Sequence, residues 1–181
     1  EAIDELKENE FKELYKSDAS KPKEFIKDVQ IDTDFELLFP DNYINSISER
    51  LSLYNELSST KSSDELLDFE KRLIDRFGEL PVQAIDLLDS VRLKWLAKEI
   101  GLEKVVLKQK RMIGYFISDQ QSEFYQTEAF TKVLKYVQQN PTTSVMKEKQ
   151  TKVGLRLLIT FIKIDSVEIA LKRLQKVLGR F

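Results

Sequence analysis

The chain has no cysteine and no histidine, and only five glycines and four prolines in 181 residues. Without cysteine there is no disulfide, no thiolate nucleophile and no Cys-bearing zinc site. Without histidine the commonest general base and metal ligand are missing, and so is every triad of the Ser-His-Asp or Cys-His kind. None of the five glycines falls into a GxGxxG or GxxxxGK[ST] pattern, so neither fingerprint of a phosphate-cradling loop is present. No stretch approaches the roughly 20 apolar residues that span a bilayer, and no signal-peptide pattern opens the chain. The reading is of an intracellular, cytoplasmic chain with no membrane partner, no metal and no cofactor. A carboxylate-only or lysine-based enzyme would remain, but no spacing in the chain supports one.

What is present belongs to an ordinary globular domain: 41% apolar and 33% charged residues. The net charge of −2 conceals an asymmetry. Residues 1–90 carry 11 Lys/Arg against 23 Asp/Glu, a net of −12, and residues 91–181 carry 18 against 8, a net of +10. Such halves can attract one another within the fold, or the acidic half can face a basic partner. The cations of the second half are scattered rather than set in a stripe with aromatics or glycines between them, which argues against direct DNA contact.

The chain opens on Glu1-Ala2-Ile3-Asp4 with no initiator methionine and an amphipathic pattern already running, which predicts a piece of a longer polypeptide. Ile3, Leu6, Phe11, Leu14 and Tyr15 predict a first helix. The polar run Ser17–Lys23 with Pro22 predicts a linker, dividing the chain into 1–23 and a domain over 24–181. Val29–Ile31 and Phe35–Phe39 read as strands, the second ending at Pro40.

Three helices are then expected. Asp41 is placed as the cap of the first, with Ile44, Ile47, Leu51, Tyr54 and Leu57 as its apolar stripe. Ser62-Ser63-Asp64-Glu65 predicts a capping box for the second, which Gly78 ends. Pro81 opens the third, expected to bury Val82, Ile85, Leu88, Val91, Trp95 and Ile100 and to stop at Gly101. Beyond it, Val105–Leu107 and Met112–Ile117 predict two strands. Thr127 caps a helix ended by Asn140-Pro141. A hairpin is placed around Gln150, and Asp165-Ser166 caps a last helix that Gly179 stops. The expected class is α+β: a helical N-terminal half packed with a small, mostly antiparallel sheet and two further helices.

Acidic pairs at Asp64/Glu65, Asp68/Glu70 and Asp86/Asp89 read as solvated helix faces, as do Glu5, Glu8 and Glu10. Trp95, Tyr43 and Tyr54 read as packing residues. The corner Asp75-Arg76-Phe77-Gly78-Glu79-Leu80-Pro81 joins two helices, with Phe77 and Leu80 expected inward. Its charged residues admit two readings: local ion pairing at a structural corner, or exposed acceptors for an arginine on a partner.

The ordered set Phe39-Pro40-Asp41-Asn42-Tyr43-Ile44, Arg50–Tyr54, Glu65-Leu66, Asp75–Pro81, Leu87-Leu88 and Leu93-Lys94 resembles the C-terminal domain of bacterial transcription-repair coupling factors, over about residues 30–105. The resemblance implies a non-catalytic regulatory domain of an ATP-dependent DNA translocase, the helix before Pro22 emerging from its motor. In that family the domain packs on a UvrB-like module of the same polypeptide and covers the surface that binds UvrA. The translocase itself displaces stalled RNA polymerase and recruits excision repair. The resemblance places the interface at Asp75, with Arg76, Glu79 and Arg72 beside it. The family commonly has glutamate where this chain has Arg72, so a salt bridge from that position to a partner arginine is excluded here. A generic protein–protein adaptor and a nucleic-acid-binding domain are the alternatives.

Overall fold

The computed structural model describes residues 24–180; the first predicted helix and the linker to Lys23 lie outside them. The chain enters through β1 (Gln30–Thr33) and then folds three consecutive helices, α1 (Ile47–Ser58), α2 (Ser63–Phe77) and α3 (Val82–Ile100). Strands β2 (Leu102–Lys108) and β3 (Arg111–Phe116) follow. A short 3-10 turn (Glu123–Gln126) leads into α4 (Glu128–Gln139), then β4 (Ser144–Thr151), β5 (Gly154–Ile162) and α5 (Val167–Val177). The five strands form one sheet in the order β1-β2-β3-β5-β4. Only the β1–β2 pair is parallel. This is the expected α+β arrangement.

Local hydrogen bonding explains why the helix starts were legible. The hydroxyls of Ser62, Thr127 and Ser166 accept from the N–H groups of Glu65, Phe130 and Ile169 and so satisfy donors the first turn leaves open. The capping box of α2 closes one residue early: the Glu65 carboxylate accepts from the Lys61 N–H at 2.8 Å. Gly78 at φ +88° and Gly101 at φ +87° end α2 and α3, as expected of residues without a Cβ.

Two cores result. One gathers Phe39, Ile44, Leu53, Leu57, Leu66, Phe69, Leu73, Ala84 and Leu88 between the first three helices. The other lies between the sheet and α3, α4 and α5, around Leu93, Ile100, Val105, Phe116, Phe161 and Leu174. Helix α3 belongs to both. Trp95 and Val91 pack on the helical core, while Leu93, Leu96, Ala97 and Ile100 enter the sheet core.

That double burial corrects the expected stripe of α3. Leu88 and Ile100 are buried and Val91 and Trp95 half-buried, but Val82 and Ile85 are 63% and 44% exposed, and the Leu93–Ala97 face replaces them. Helix α1 is corrected likewise. It starts six residues after Asp41, with Ser46 as cap. Ile44 is buried ahead of the helix, Leu53 and Leu57 are the buried helical positions, and Ile47 and Leu51 stand 68% and 57% exposed. Asp41 instead accepts from Arg50 Nη1 at 2.8 Å.

The predicted strand over Phe35–Phe39 does not form. The Thr33 hydroxyl donates to the Leu107 carbonyl and accepts from the Phe35 N–H, which closes β1. The Phe39 N–H then finds the Tyr54 hydroxyl (2.8 Å) instead of a neighbouring strand, and the two rings stack with centroids 5.0 Å apart. The hairpin turns at Lys152-Val153, two residues beyond Gln150, with Thr151 opposite Gly154 at φ +115°.

Ion pairs join the acidic and basic parts of the sequence: Lys98 to Glu24 (3.4 Å) and Lys108 to Asp32 (3.0 Å). No helix among the described residues is long and apolar enough to cross a membrane.

Candidate functional site

The corner after α2 is built by its aromatic neighbours. The Tyr43 hydroxyl lies 2.9 Å from the Gly78 carbonyl and 3.3 Å from that of Leu73, so the end of α2 is tied to the segment before α1. Tyr43 and Phe77 rings meet at 5.7 Å, and burial pushes the Tyr43 phenol pKa above its ordinary value. Phe77 and Leu80 pack partly buried on the helical core, as expected. Tyr43, Tyr54 and Trp95 pack on the same core.

Along α2, positions 69, 72, 73 and 76 fall on one face, the face that meets α1. Arg72 and Arg76 use it to reach across: Arg72 pairs with Glu56 and Arg76 with Glu49, both carboxylates from α1. Arg76 also lies over the Phe77 ring at 4.8 Å, and Arg72 over the Phe69 ring at 5.7 Å. Between the two helices runs a shallow groove of about 170 Å³, lined by Leu53, Phe69, Leu73 and Phe77 with Glu56, Arg72, Asp75 and Arg76 at its rim. Three of the four predicted interface residues therefore share one groove. Glu79 lies past the Gly78 turn, outside it.

The charges at this corner are unequally committed. Both arginines are satisfied within the domain. The carboxylates of Asp75 and Glu79 are exposed and make no ion pair or side-chain hydrogen bond among the described residues. The local alternative, Asp75 bonded to Arg76 or to backbone amides, is not what forms. Arg76 turns to Glu49 instead. The corner thus offers two free carboxylates beside an aromatic groove whose cations are already neutralised.

A second group of acids is less solvated than the sequence predicted. The Asp89 side chain is 13% exposed and accepts from Arg92 at 2.9 Å, and Glu70 joins the same guanidinium at 3.3 Å. Burial raises the pKa values of Asp86 and Asp89 above the usual carboxylate value, and neighbouring charge (Asp89 and Glu168 on Asp86) adds to it. Asp64, Glu65 and Asp68 are exposed, as expected.

The sign of this effect sets an expectation. A carboxyl whose folded-state pKa is raised opposes folding when ionised, and that opposition disappears as pH falls below its unfolded pKa. Asp86→Asn is expected to raise the thermal midpoint at pH 7, with the gain shrinking toward zero near pH 3. Thermal melts of both chains across this range check it, and a variant less stable at pH 7 would contradict it.

The fold is that of a mixed helical and sheet domain with an exposed helix–turn–helix corner. The TRCF domain family model matches residues 33–127, and the chain belongs to that family. The transcription-repair-coupling factor of Escherichia coli (strain K12) is 41% identical to it over 73 residues, 40% of this chain and 6% of that protein. The protein of the same name from Staphylococcus aureus (strain USA300) is 27% identical over 151 residues, 78% of this chain and 13% of that protein. A crystal structure of the C-terminal domain of transcription-repair coupling factor superposes with a TM-score of 0.61 at 17% identity, covering 84% of this chain and 94% of that one, a likeness of fold. The chain therefore spans a small fraction of the length of these curated relatives.

Proposed function

We propose that this domain is the regulatory C-terminal part of a transcription-repair coupling DNA translocase and holds it autoinhibited. It does so by docking on the UvrB-like module of the same polypeptide and covering the surface to which UvrA binds. In this reading residues 1–23 lead from the motor into the regulatory domain, and the parent acts in the cytoplasm on stalled RNA polymerase and in nucleotide excision repair. The observation that carries the reading is the corner: Asp75 sits unpaired on the rim of an aromatic groove, open to an arginine or lysine from outside.

Masking is a competition between a tethered contact and a free ligand. Tethering raises the local concentration of the domain to the order of millimolar, so an interface of modest intrinsic affinity excludes a dilute competitor. Release requires that the DNA- or polymerase-engaged state disfavour docking. A difference of about 3 kcal/mol changes the closed-to-open ratio by roughly a hundredfold.

Asp75→Arg in the intact protein reverses a charge at an exposed position with no internal partner, so folding is expected to be unaffected. UvrA affinity is expected to rise by roughly tenfold or more, on the order of the 1.4 kcal/mol or greater loss of an interfacial charge pair. Surface plasmon resonance with immobilised UvrA checks this. An unchanged affinity, with far-UV circular dichroism like that of the parent, would remove Asp75 from the interface.

A further inference from the structure

The cations of the second half look dispersed along the sequence, but strand pairing gathers them. The register sets Lys104 opposite Tyr115, Tyr115 opposite Leu158, and Leu158 opposite Lys147. It also sets Lys108 opposite Arg111 and Arg156 opposite Lys149. Directly opposed residues share a face and successive residues alternate. Lys104, Lys108, Arg111, Lys147, Lys149 and Arg156 therefore all stand on one face of the sheet. The alternate positions, Val105, Leu107, Met112, Ile159 and Phe161, are buried in the core beneath α3, α4 and α5. The cationic face is the one turned away from those helices.

Two carboxylates reach this set. Asp32 lies 3.0 Å from Lys108, and Glu103, displaced by the bulge between Leu102 and Lys104, lies 2.8 Å from Arg156. Lys104, Arg111, Lys147 and Lys149 have no carboxylate partner among the described residues. Between them lie Val106, Ile113, Thr160 and Tyr115, all partly exposed, and Leu158, buried beneath its neighbours. Lys104 Nζ and the Arg156 guanidinium stand 5.7 and 5.4 Å from the centre of the Tyr115 ring.

Lysines on an edge strand can serve simply to discourage pairing with another chain. That accounts for Lys147 and Lys149 on β4. It does not account for Lys104 and Arg111, which lie on the interior strands β2 and β3. Four cations without a carboxylate partner, spread over a face about 14 Å across at about 4.8 Å per strand, suit a polyanion, and an aromatic side chain among them suits one that also presents planar bases. We infer that the open face of the sheet, with Tyr115 at its centre and Lys104, Arg111, Lys147 and Lys149 around it, binds single-stranded nucleic acid.

The test is fluorescence anisotropy of a labelled oligothymidylate about 20 nucleotides long, titrated with the 181-residue chain. Four phosphate contacts on a single strand predict an affinity loss of roughly 50-fold between about 50 and 200 mM salt. Lys147→Glu with Lys149→Glu, both exposed and remote from the core, is expected to weaken binding at least tenfold. Tyr115→Leu is expected to weaken it by roughly tenfold through lost stacking. Absence of a salt-dependent signal would overturn the inference. So would wild-type affinity in the folded double-lysine variant, or preference for a duplex of the same length. Saturable binding of polyglutamate without binding of the oligonucleotide would assign the face to an acidic protein instead.

Discussion

Gly101→Ala is expected to destabilise the chain by about 3 kcal/mol. The residue sits at φ +87°, where a Cβ costs about 1–2 kcal/mol. The same Cβ would lie 2.3 Å from two carbons of the Phe124 ring. That ring has no room to retreat: Phe124 is buried, and edge-to-face contacts with Phe25, Tyr125 and Phe130 surround it. Forcing an extra carbon into a packed site costs about 1–3 kcal/mol more. Urea denaturation should show a lower midpoint at unchanged slope. A midpoint within experimental error of the parent would show that the junction of α3 and β2 is loosely packed around Phe124.

Phe69→Ala is expected to be at least as damaging, at about 3–5 kcal/mol, because a large buried ring leaves a cavity that its neighbours fill only in part. Phe69 packs at 6.5 Å from Phe39 and forms part of the floor of the groove beneath Arg72. The two substitutions lie in different cores, yet each should shift the same transition. Helix α3 contributes Leu88 to one core and Leu93 and Ile100 to the other, so neither core can melt without exposing part of the other. Trp95, the single tryptophan, reports on that shared helix. Its fluorescence and the far-UV signal should follow coincident curves in both variants. Two separate transitions in either one would show that the halves unfold independently.

What the sequence disclosed and what it hid divide along the range of the interactions. Caps at Ser62, Thr127 and Ser166, and stops at Gly78 and Gly101, depend on residues within four positions, and all are where the pattern put them. One cap was misplaced, Asp41 for Ser46; most other errors come from burial decided by distant partners. Ile47 and Leu51 fit a helical stripe as well as Leu53 and Leu57 do, but α2 packs against the latter pair. The alternation of α3 concealed its second buried face because both faces are apolar over Leu88–Ile100.

At the candidate site, the family resemblance and the turn signals pointed to Arg72, Asp75, Arg76 and Glu79, and the structure puts the first three on one groove. The carboxylates that tie down the two arginines were not legible, since Glu49 and Glu56 belong to the preceding helix. A hint existed in retrospect: Glu49 and Glu56 are seven apart and so share a helix face, as Arg72 and Arg76 do at a spacing of four. The cationic face of the sheet was hidden more completely. Its members become neighbours only through the strand register, and β4 in particular, with Lys147 to Gln150 all exposed, read in part as a turn.

The proposed masking role makes a sharp demand in trans. The isolated 181-residue chain, added to a preformed complex of the UvrB-like module with UvrA, should displace UvrA in a saturable manner, and the Asp75→Arg chain should displace far less at equal concentration. If the module holds UvrA and the wild-type chain at the same time, with neither weakening the other, the domain does not cover that surface and its role lies elsewhere.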